Sequence, residues 1–251
     1  MSGSRSVDLM VWNSFMGKAY SVSDCFKENG IGVLARACKD AGFSIAIEDP
    51  AGIEFYTAFT KNDLMPRLSE LSLLIFGVHH DEDAVSLRKE WHLLQDNLAS
   101  VIDVEGEVTL VQIMNTVKEI YSQGGTKSDV IKRITDLAEA GKIFNVIYND
   151  NNGEVKETPI KRLSLNSKPF PLYEKEDGKV NIAVINESSG CYYGKCNFCT
   201  HPNITGKYQT RDISITIQEV KETIEKTGIG LFRFAGSTTP VSLSNRIADA
   251  L

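Results

Sequence analysis

The chain has 251 residues, 42% hydrophobic and 24% charged, with a formal net charge of -6. This is the balance of a globular protein with one large or two ordinary domains, and its acidic excess argues against a general binder of nucleic acid or acidic membranes. No apolar run reaches the roughly 18 residues of a membrane span, and no apolar signal core follows Met1-Ser-Gly-Ser-Arg5.

In chain order, residues 1–145 read as alternating strands and helices, the pattern of a parallel sheet with helices on its faces. Val7 to Trp12 is a strand. Gly30-Ile-Gly32 opens a helix through Leu34, Ala37, Cys38 and Ala41, and Gly42 stops it. Phe43 to Asp49 and Leu73 to Val78 are two more strands. Leu64, Leu68 and Leu71 suggest a short helix between them, with Pro66 in its first turn. Ala84, Leu87, Trp91, Leu94, Leu98 and Val101 recur at helical spacing and predict a long amphipathic helix. Trp91 then belongs to the core and His92 to the surface. Helices follow around Leu110–Tyr121 and Ser128–Ala140, parted by Gly124-Gly125, with Ser128 able to cap the second. The loop from Asn13 to Gly32 leaves a strand end and is long, as a binding loop would be. Gly30 and Gly32 alone make no dinucleotide fingerprint.

Residues 146–178 form a connector. Lys142–Tyr148 and Val155–Ile160 flank Asp150-Asn-Asn-Gly153, which predicts a hairpin, and Pro169 and Pro171 then impose an extended segment. Val180 to Ile185 is the next strand, and Glu187-Ser-Ser-Gly190 leaves it. Beyond lies Cys191-Tyr-Tyr-Gly-Lys-Cys196-Asn-Phe-Cys199. Three cysteines on one loop are a soft-metal site by composition, with Gly190 and Gly194 letting the backbone wrap closely. Clustered cysteines without a signal peptide suit a reducing, cytoplasmic setting and metal rather than disulfides. Ferredoxin-type clusters and structural zinc both take four ligands, and Cys25 and Cys38 lie far upstream. Three thiolates on a four-iron cluster would leave one iron open to a substrate or cofactor. The rival is Cys3His zinc with His201 as fourth ligand, closer in sequence than zinc spacing usually runs and next to the stiffening Pro202.

After the loop, Thr210-Arg-Asp212 leads into a helix with Ile213, Ile217, Val220 and Ile224 on one face. Thr216 and Glu219 have capping-box spacing, Ser214 is a rival cap, and Gly228 ends the helix. Ile229 to Ala235 is a strand, left by Gly236-Ser-Thr-Thr-Pro240. Strand, helix, strand is the opening of a βα barrel, whose sites lie at strand C-terminal ends.

The cysteine loop resembles that of the radical S-adenosylmethionine (SAM) enzymes. Their pattern is Cys-x3-Cys-x2-Cys with an aromatic residue before the last cysteine, a place Phe198 fills; here four residues, not three, separate Cys191 from Cys196. The resemblance implies a [4Fe-4S] cluster on Cys191, Cys196 and Cys199, whose open iron chelates SAM. It also implies an electron donor such as flavodoxin or ferredoxin, and reductive cleavage of SAM to a 5′-deoxyadenosyl radical. Gly236 and Ser237 match by position the second-strand end that contacts the SAM amino group, with no acid present there. Tyr208 and Arg211 match a recurrent aromatic-basic stretch, for which a solvated surface role stands as the alternative.

The preceding α/β segment is similar to the cobalamin-binding domain of the cobalamin-dependent subfamily. It has a Gly-containing helix, with Gly30 and Gly32 as cofactor contacts, and then a strand ending in an acid. The Asp-x-His-x-x-Gly motif is absent, and His79-His80 does not stand in its setting. The resemblance therefore implies cobalamin held without a protein histidine, used for methyl transfer or another radical modification of a substrate the sequence does not name. A family member whose first domain holds no cobalamin is the alternative within the family, and a zinc-stabilised binding module is the one outside it. The implied fold is α/β: a doubly wound, Rossmann-like domain over 1–145, the connector, and the first strand–helix units of a partial (β/α) barrel over 179–251. The family's barrel takes about six such units. The expectation is thus a fragment, or one half of a split enzyme completed by a second polypeptide.

Overall fold

The computed structural model describes residues 9–12, 29–48, 74–78, 98–103, 106–175, 178, 180–199, 206–236 and 238–251. The chain divides into two compact units, Met1–Gly17 with Ala37–Arg162, and Lys18–Arg36 with Leu163–Leu251. The architecture is α/β with small sheets.

In the first unit β1 (Leu9–Trp12) lies parallel to β2 (Ile45–Glu48), from Leu9 opposite Ile45 to Trp12 opposite Glu48. Helix α1 (Asn29–Asp40) joins them in sequence, and the division between units falls within it. A second sheet has the order β3 (Leu74–Val78), β4 (Leu98–Asp103), β5 (Val146–Asn149), β6 (Val155–Glu157). The β3–β4 pair is parallel and the others antiparallel.

Strand β4 corrects one expectation. Leu98 and Val101 do not end an amphipathic helix; they lie in a strand with partners on both sides. A short apolar run fits helical and strand spacing alike, and ladder hydrogen bonds on two edges settle it for Leu98–Asp103. The rest of that expected helix, with Trp91 and His92, lies outside the described residues, as does the short helix around Leu64–Leu71.

Helices α2 (Glu107–Ser122) and α3 (Lys127–Glu139) bury Leu110, Ile113 and Met114, and Val130, Ile134 and Ala138. Thr126, not Ser128, caps α3. Its hydroxyl accepts from the Asp129 N–H at 3.4 Å while Asp129 Oδ2 accepts from the Thr126 N–H at 2.8 Å. The reciprocal pair needs partners three residues apart, which Thr126 and Asp129 supply. The hairpin turn forms on Asp150, whose Oδ1 accepts from the N–H groups of Asn152 (2.8 Å) and Glu154 (2.9 Å). Lys156 pairs with the other oxygen and, with those N–H donors, holds the carboxyl down at about 2.

The second unit is built on a parallel pair, β7 (Ile182–Ile185) and β10 (Leu231–Phe234), with Ile182 opposite Leu231 and Ile185 opposite Phe234. Its branched residues suit a pleated, half-buried strand. Upstream, a 3₁₀ turn (Leu165–Ser167) precedes the extended segment that the prolines impose. Tyr173 on that segment is anchored to β7: its hydroxyl donates to the Val184 carbonyl at 2.6 Å and receives the Val184 N–H at 3.3 Å. Tyr173, Ala183 and Ile229 form one small core, with Phe232 against it. Helix α4 (Ile213–Thr227) and helix α5 (Val241–Ala248) form the other through Ile217, Leu243 and Ile247, with Ile213 and Phe234 packed on it. Each such side chain stabilises by about 1.5–3 kcal/mol on full burial.

The buried face of α4 differs from the apolar stripe. Ile224 is 46% exposed, whereas Thr216, Glu219 and Thr223 are buried beside Ile217 and Val220. No capping box forms. Asp212 is the N-cap, Thr216 donates back to the Asp212 carbonyl at 3.1 Å, Ser214 is already helical, and Glu219 is drawn to Arg211. Gly228 ends the helix at φ +71°, a left-handed turn that only glycine adopts freely.

Candidate metal centre

The three-cysteine loop leaves the C-terminal end of β7. Two short strands, β8 (Ser188–Ser189) and β9 (Gln209–Thr210), pair antiparallel and close its neck, Ser188 opposite Thr210 and Ser189 opposite Gln209. The Arg211 N–H donates to the Glu187 carbonyl at 2.8 Å just below. Gly190 then turns the chain with φ +81°. A β-carbon there would sit 3.1 Å from Tyr208 Cα and 3.2 Å from the carbonyls of Gly206 and Lys207. Both the backbone angle and the closeness of the returning strand demand glycine.

Beyond Gly190, Cys191 and Cys199 are half-buried and Cys196 is exposed. The Gly194 N–H points at Cys191 Sγ, 3.5 Å away, and the Cys199 N–H donates to the Cys196 carbonyl at 3.2 Å, forming the tight turn that carries Asn197 and Phe198. The Gly194 N–H, and then the Thr238 hydroxyl, lower the Cys191 thiol below its ordinary value. Phe198 is 90% exposed, and Tyr192 stands edge-on to Tyr208 with ring centroids 6.2 Å apart.

Among the described residues no three His, Cys, Asp or Glu side chains already stand together at metal-binding distance. The donor set itself suits a soft metal or an iron–sulfur cluster: three thiols on one pinned loop, one of them biased toward thiolate by an N–H donor. His201, the fourth ligand that zinc would need, lies outside the described residues, as do Cys25 and Ser237. Cys38 has a different character. It is fully buried on α1, and burial pushes its thiol up to about 11, the state of a core residue rather than a metal ligand.

Gly236 ends β10 opposite this loop, and its surroundings were not legible from the sequence. Glu187, fully buried at the end of β7, reaches across to it. Glu187 Oε2 accepts from the N–H groups of Ala235 (3.1 Å) and Gly236 (3.2 Å). Oε1 accepts from the hydroxyls of Ser188 (2.9 Å) and Thr239 (2.6 Å). A β-carbon on Gly236 would lie 2.2 Å from Ser188 Oγ and 2.3 Å from Glu187 Oε1, so Gly236 is there for closeness of approach. An acid does therefore stand at the second-strand end, supplied by the first strand. The signal available in the sequence was an acid two residues past an apolar strand and ahead of a binding loop.

Arg211 is buried, not solvated. It pairs with buried Glu219 on α4, donates to the Lys168 carbonyl at 2.7 Å, and lies over the Phe170 ring 5.2 Å from its centroid. Burial pushes the Glu219 carboxyl up to about 7 against the opposing pull of Arg211. The two upstream glycines lie in the first turn of α1. Gly30 is half-buried, and Gly32 packs on the extended segment: a β-carbon there would be 2.7 Å from the Leu172 carbonyl, whose own N–H donates to the Gly32 carbonyl at 2.9 Å.

No protein-family model matches this chain, and no curated protein sequence does. Solved structures do match in fold. The chain is similar to the radical SAM methyltransferase TsrM from Kitasatospora setae, solved with a tryptophan substrate and a SAM analog. The two are 15% identical with a TM-score of 0.55, over 96% of this chain and 50% of that one. A second TsrM structure, with cobalamin and a [4Fe-4S] cluster bound, gives 15% identity and a TM-score of 0.54. The cobalamin-dependent radical SAM enzyme OxsB with aqua-cobalamin bound gives 14% and 0.51, over 91% of this chain and 33% of that one. The chain thus spans about half the length of TsrM and a third of OxsB. No helix among the described residues is long and apolar enough to cross a membrane.

Proposed function

We propose that this chain is part of a cobalamin-dependent radical SAM enzyme. It would comprise a doubly wound cobalamin-binding-type domain and connector, followed from residue 179 by the opening strand–helix units of a partial (β/α) barrel. One observation carries the reading. A loop with three cysteines leaves the C-terminal end of β7 beside the C-terminal end of its parallel neighbour β10, the end at which barrel enzymes place their chemistry. The fold likeness to TsrM and OxsB supports it.

On this reading Cys191, Cys196 and Cys199 would hold a [4Fe-4S] cluster, and Gly236 and Ser237 would contact SAM. When bound, such a cluster would supply the electron for reductive cleavage of SAM to methionine and a 5′-deoxyadenosyl radical, for methyl transfer or another radical modification. An external donor such as flavodoxin or ferredoxin replenishes the electron. The chain's own part is placement. The β8–β9 neck fixes where the cysteine loop starts and returns. The exposed Phe198 side chain sits within the ligand loop, where a bound cofactor can cover it. Gly32 serves the packing of α1 on the extended segment, which leaves Gly30 as the cofactor-facing candidate of that pair.

The test is anaerobic reconstitution with iron and sulfide. About four irons and four sulfides per chain, with cluster absorbance, are expected. One tightly held zinc and no such absorbance sinks the reading.

A further inference from the structure

We propose that Glu187 is a positioning residue for SAM, holding Ala235, Gly236 and Thr239, which follow β10, in the arrangement that receives the SAM amino group. The proposal rests on the reading above. Glu187 is fully buried and all four of its carboxyl contacts are donors: two backbone N–H groups, from Ala235 and Gly236, and two hydroxyls, from Ser188 and Thr239. Three of the four come from the turn that follows β10, 48 to 52 residues further along the chain. Its own backbone carbonyl takes the Arg211 N–H, at the foot of the cysteine loop. One residue thus ties together the root of the cysteine loop and the neighbouring strand end.

The consequence for a ligand is one of sign. A peptide unit whose N–H is engaged inward offers its carbonyl oxygen as the remaining partner. The Gly236 N–H is taken by Glu187, and the Ala235 N–H is shared between the Ile185 carbonyl at 2.8 Å and Glu187, so the backbone groups these two residues have left to offer are their carbonyl oxygens. Acceptors suit an ammonium group such as the α-amino end of SAM and do not suit its carboxylate. Gly236 makes the arrangement possible, because any side chain there would collide with Glu187 and Ser188. Glu187 itself, with both oxygens committed, acts through the turn and not by contact with the ligand.

The experiment compares Glu187→Ala and Glu187→Gln in the full chain after anaerobic reconstitution. Glutamine can keep every contact: its oxygen accepts the two N–H groups, and its NH2 donates to the two hydroxyl oxygens. SAM affinity is measured by calorimetry, and the SAM-induced change in the electron paramagnetic resonance of the reduced cluster is recorded beside it. Alanine is expected to weaken SAM binding at least about tenfold, with the cluster signal present but its response to SAM lost; glutamine should restore affinity to within about threefold. Amide exchange at Gly236 in metal-free protein should quicken at least about tenfold in the alanine variant and stay slow in the glutamine variant. If Glu187→Ala does not accumulate folded, Thr239→Val removes one donor and should weaken SAM binding about threefold. Unchanged SAM affinity in the alanine variant, or in Thr239→Val where it substitutes, overturns the proposal alone. Loss in the glutamine variant equal to that in alanine also overturns it, because the charge would then act directly. A wild-type chain that takes up no cluster and binds no SAM overturns the underlying reading, and the proposal with it.

Discussion

Glu219→Gln should flatten the dependence of stability on pH between about 5 and 8. Glu219 is 1% exposed on α4, and burial raises its carboxyl from the ordinary 4.5 to about 7, although Arg211 pulls the other way. The native state therefore holds this proton more tightly than the unfolded chain. The stability this proton contributes is fully present below about 4.5 and is lost as pH rises through about 7. A shift of that size amounts to roughly 2 to 3 kcal/mol between pH 5 and pH 8, a large share of the 5–15 kcal/mol typical of a domain. Glutamine has no proton to lose, and its oxygen can still accept from Arg211 while its NH2 fills the carboxyl's place. The assay is urea unfolding of wild type and variant at pH 5 and pH 8, followed by far-ultraviolet circular dichroism. Groups common to both chains cancel in the difference between their two slopes. Wild type should lose about 2 to 3 kcal/mol more than the variant over this range. Equal slopes, or a wild type that gains stability with rising pH relative to the variant, would show that Arg211 outweighs burial and refute the reasoning.

Replacing Cys191, Cys196 or Cys199 singly by Ala should abolish cluster assembly in the reconstituted chain, whereas Cys38→Ala should retain it; iron and sulfide counts read the outcome, and a cluster lost only with Cys38 reverses the assignment. Gly190→Ala forces a side chain into φ +81° and against the returning strand, so the loop neck should loosen by about 1–3 kcal/mol, visible as faster amide exchange at Ser189 and Gln209. The full chain mixed with hydroxocobalamin and desalted should retain corrinoid. Its reduced cobalt should show no bound protein nitrogen, and substitution of His79 or His80 should change nothing; failure to retain corrinoid counts against the cobalamin half of the reading.

Where local apolar pattern decided the element, the sequence was sufficient. Val184 and Ile185 in β7, the Gly228 stop of α4 and the Asp150 hairpin all stand where the residues alone put them. Leu98–Asp103 defeated that logic, because its six residues satisfy two periodicities and only the neighbouring strands choose between them. The β8–β9 ladder was invisible for another reason. Its partners are Ser, Gln and Thr, polar residues with no periodic signal, joined across the whole cysteine loop. At the site, the three cysteines announced themselves by spacing, but Glu187 did not. Its role is set by backbone amides almost fifty residues away, and no local rule links an acid to a distant peptide N–H. For Arg211 the solvated role stood as an alternative and for Glu219 a capping box was expected; both are instead buried, because the pairing that permits their burial exists only after α4 docks.

The β8–β9 neck also bears on the order of assembly. A flexible loop of this length costs about 2 to 3 kcal/mol to close, and an unanchored ligand loop would have to draw that cost from the metal it binds. Here Ser188, Ser189, Gln209 and Thr210, with the Arg211 N–H beneath them, hold the ends together through protein hydrogen bonds alone. On the proposed reading, the polypeptide would fold first and receive its cluster last, through the side on which Cys196 is open to solvent. Removing such a cluster should then leave an intact receptor, ready to be refilled without passing through the unfolded chain.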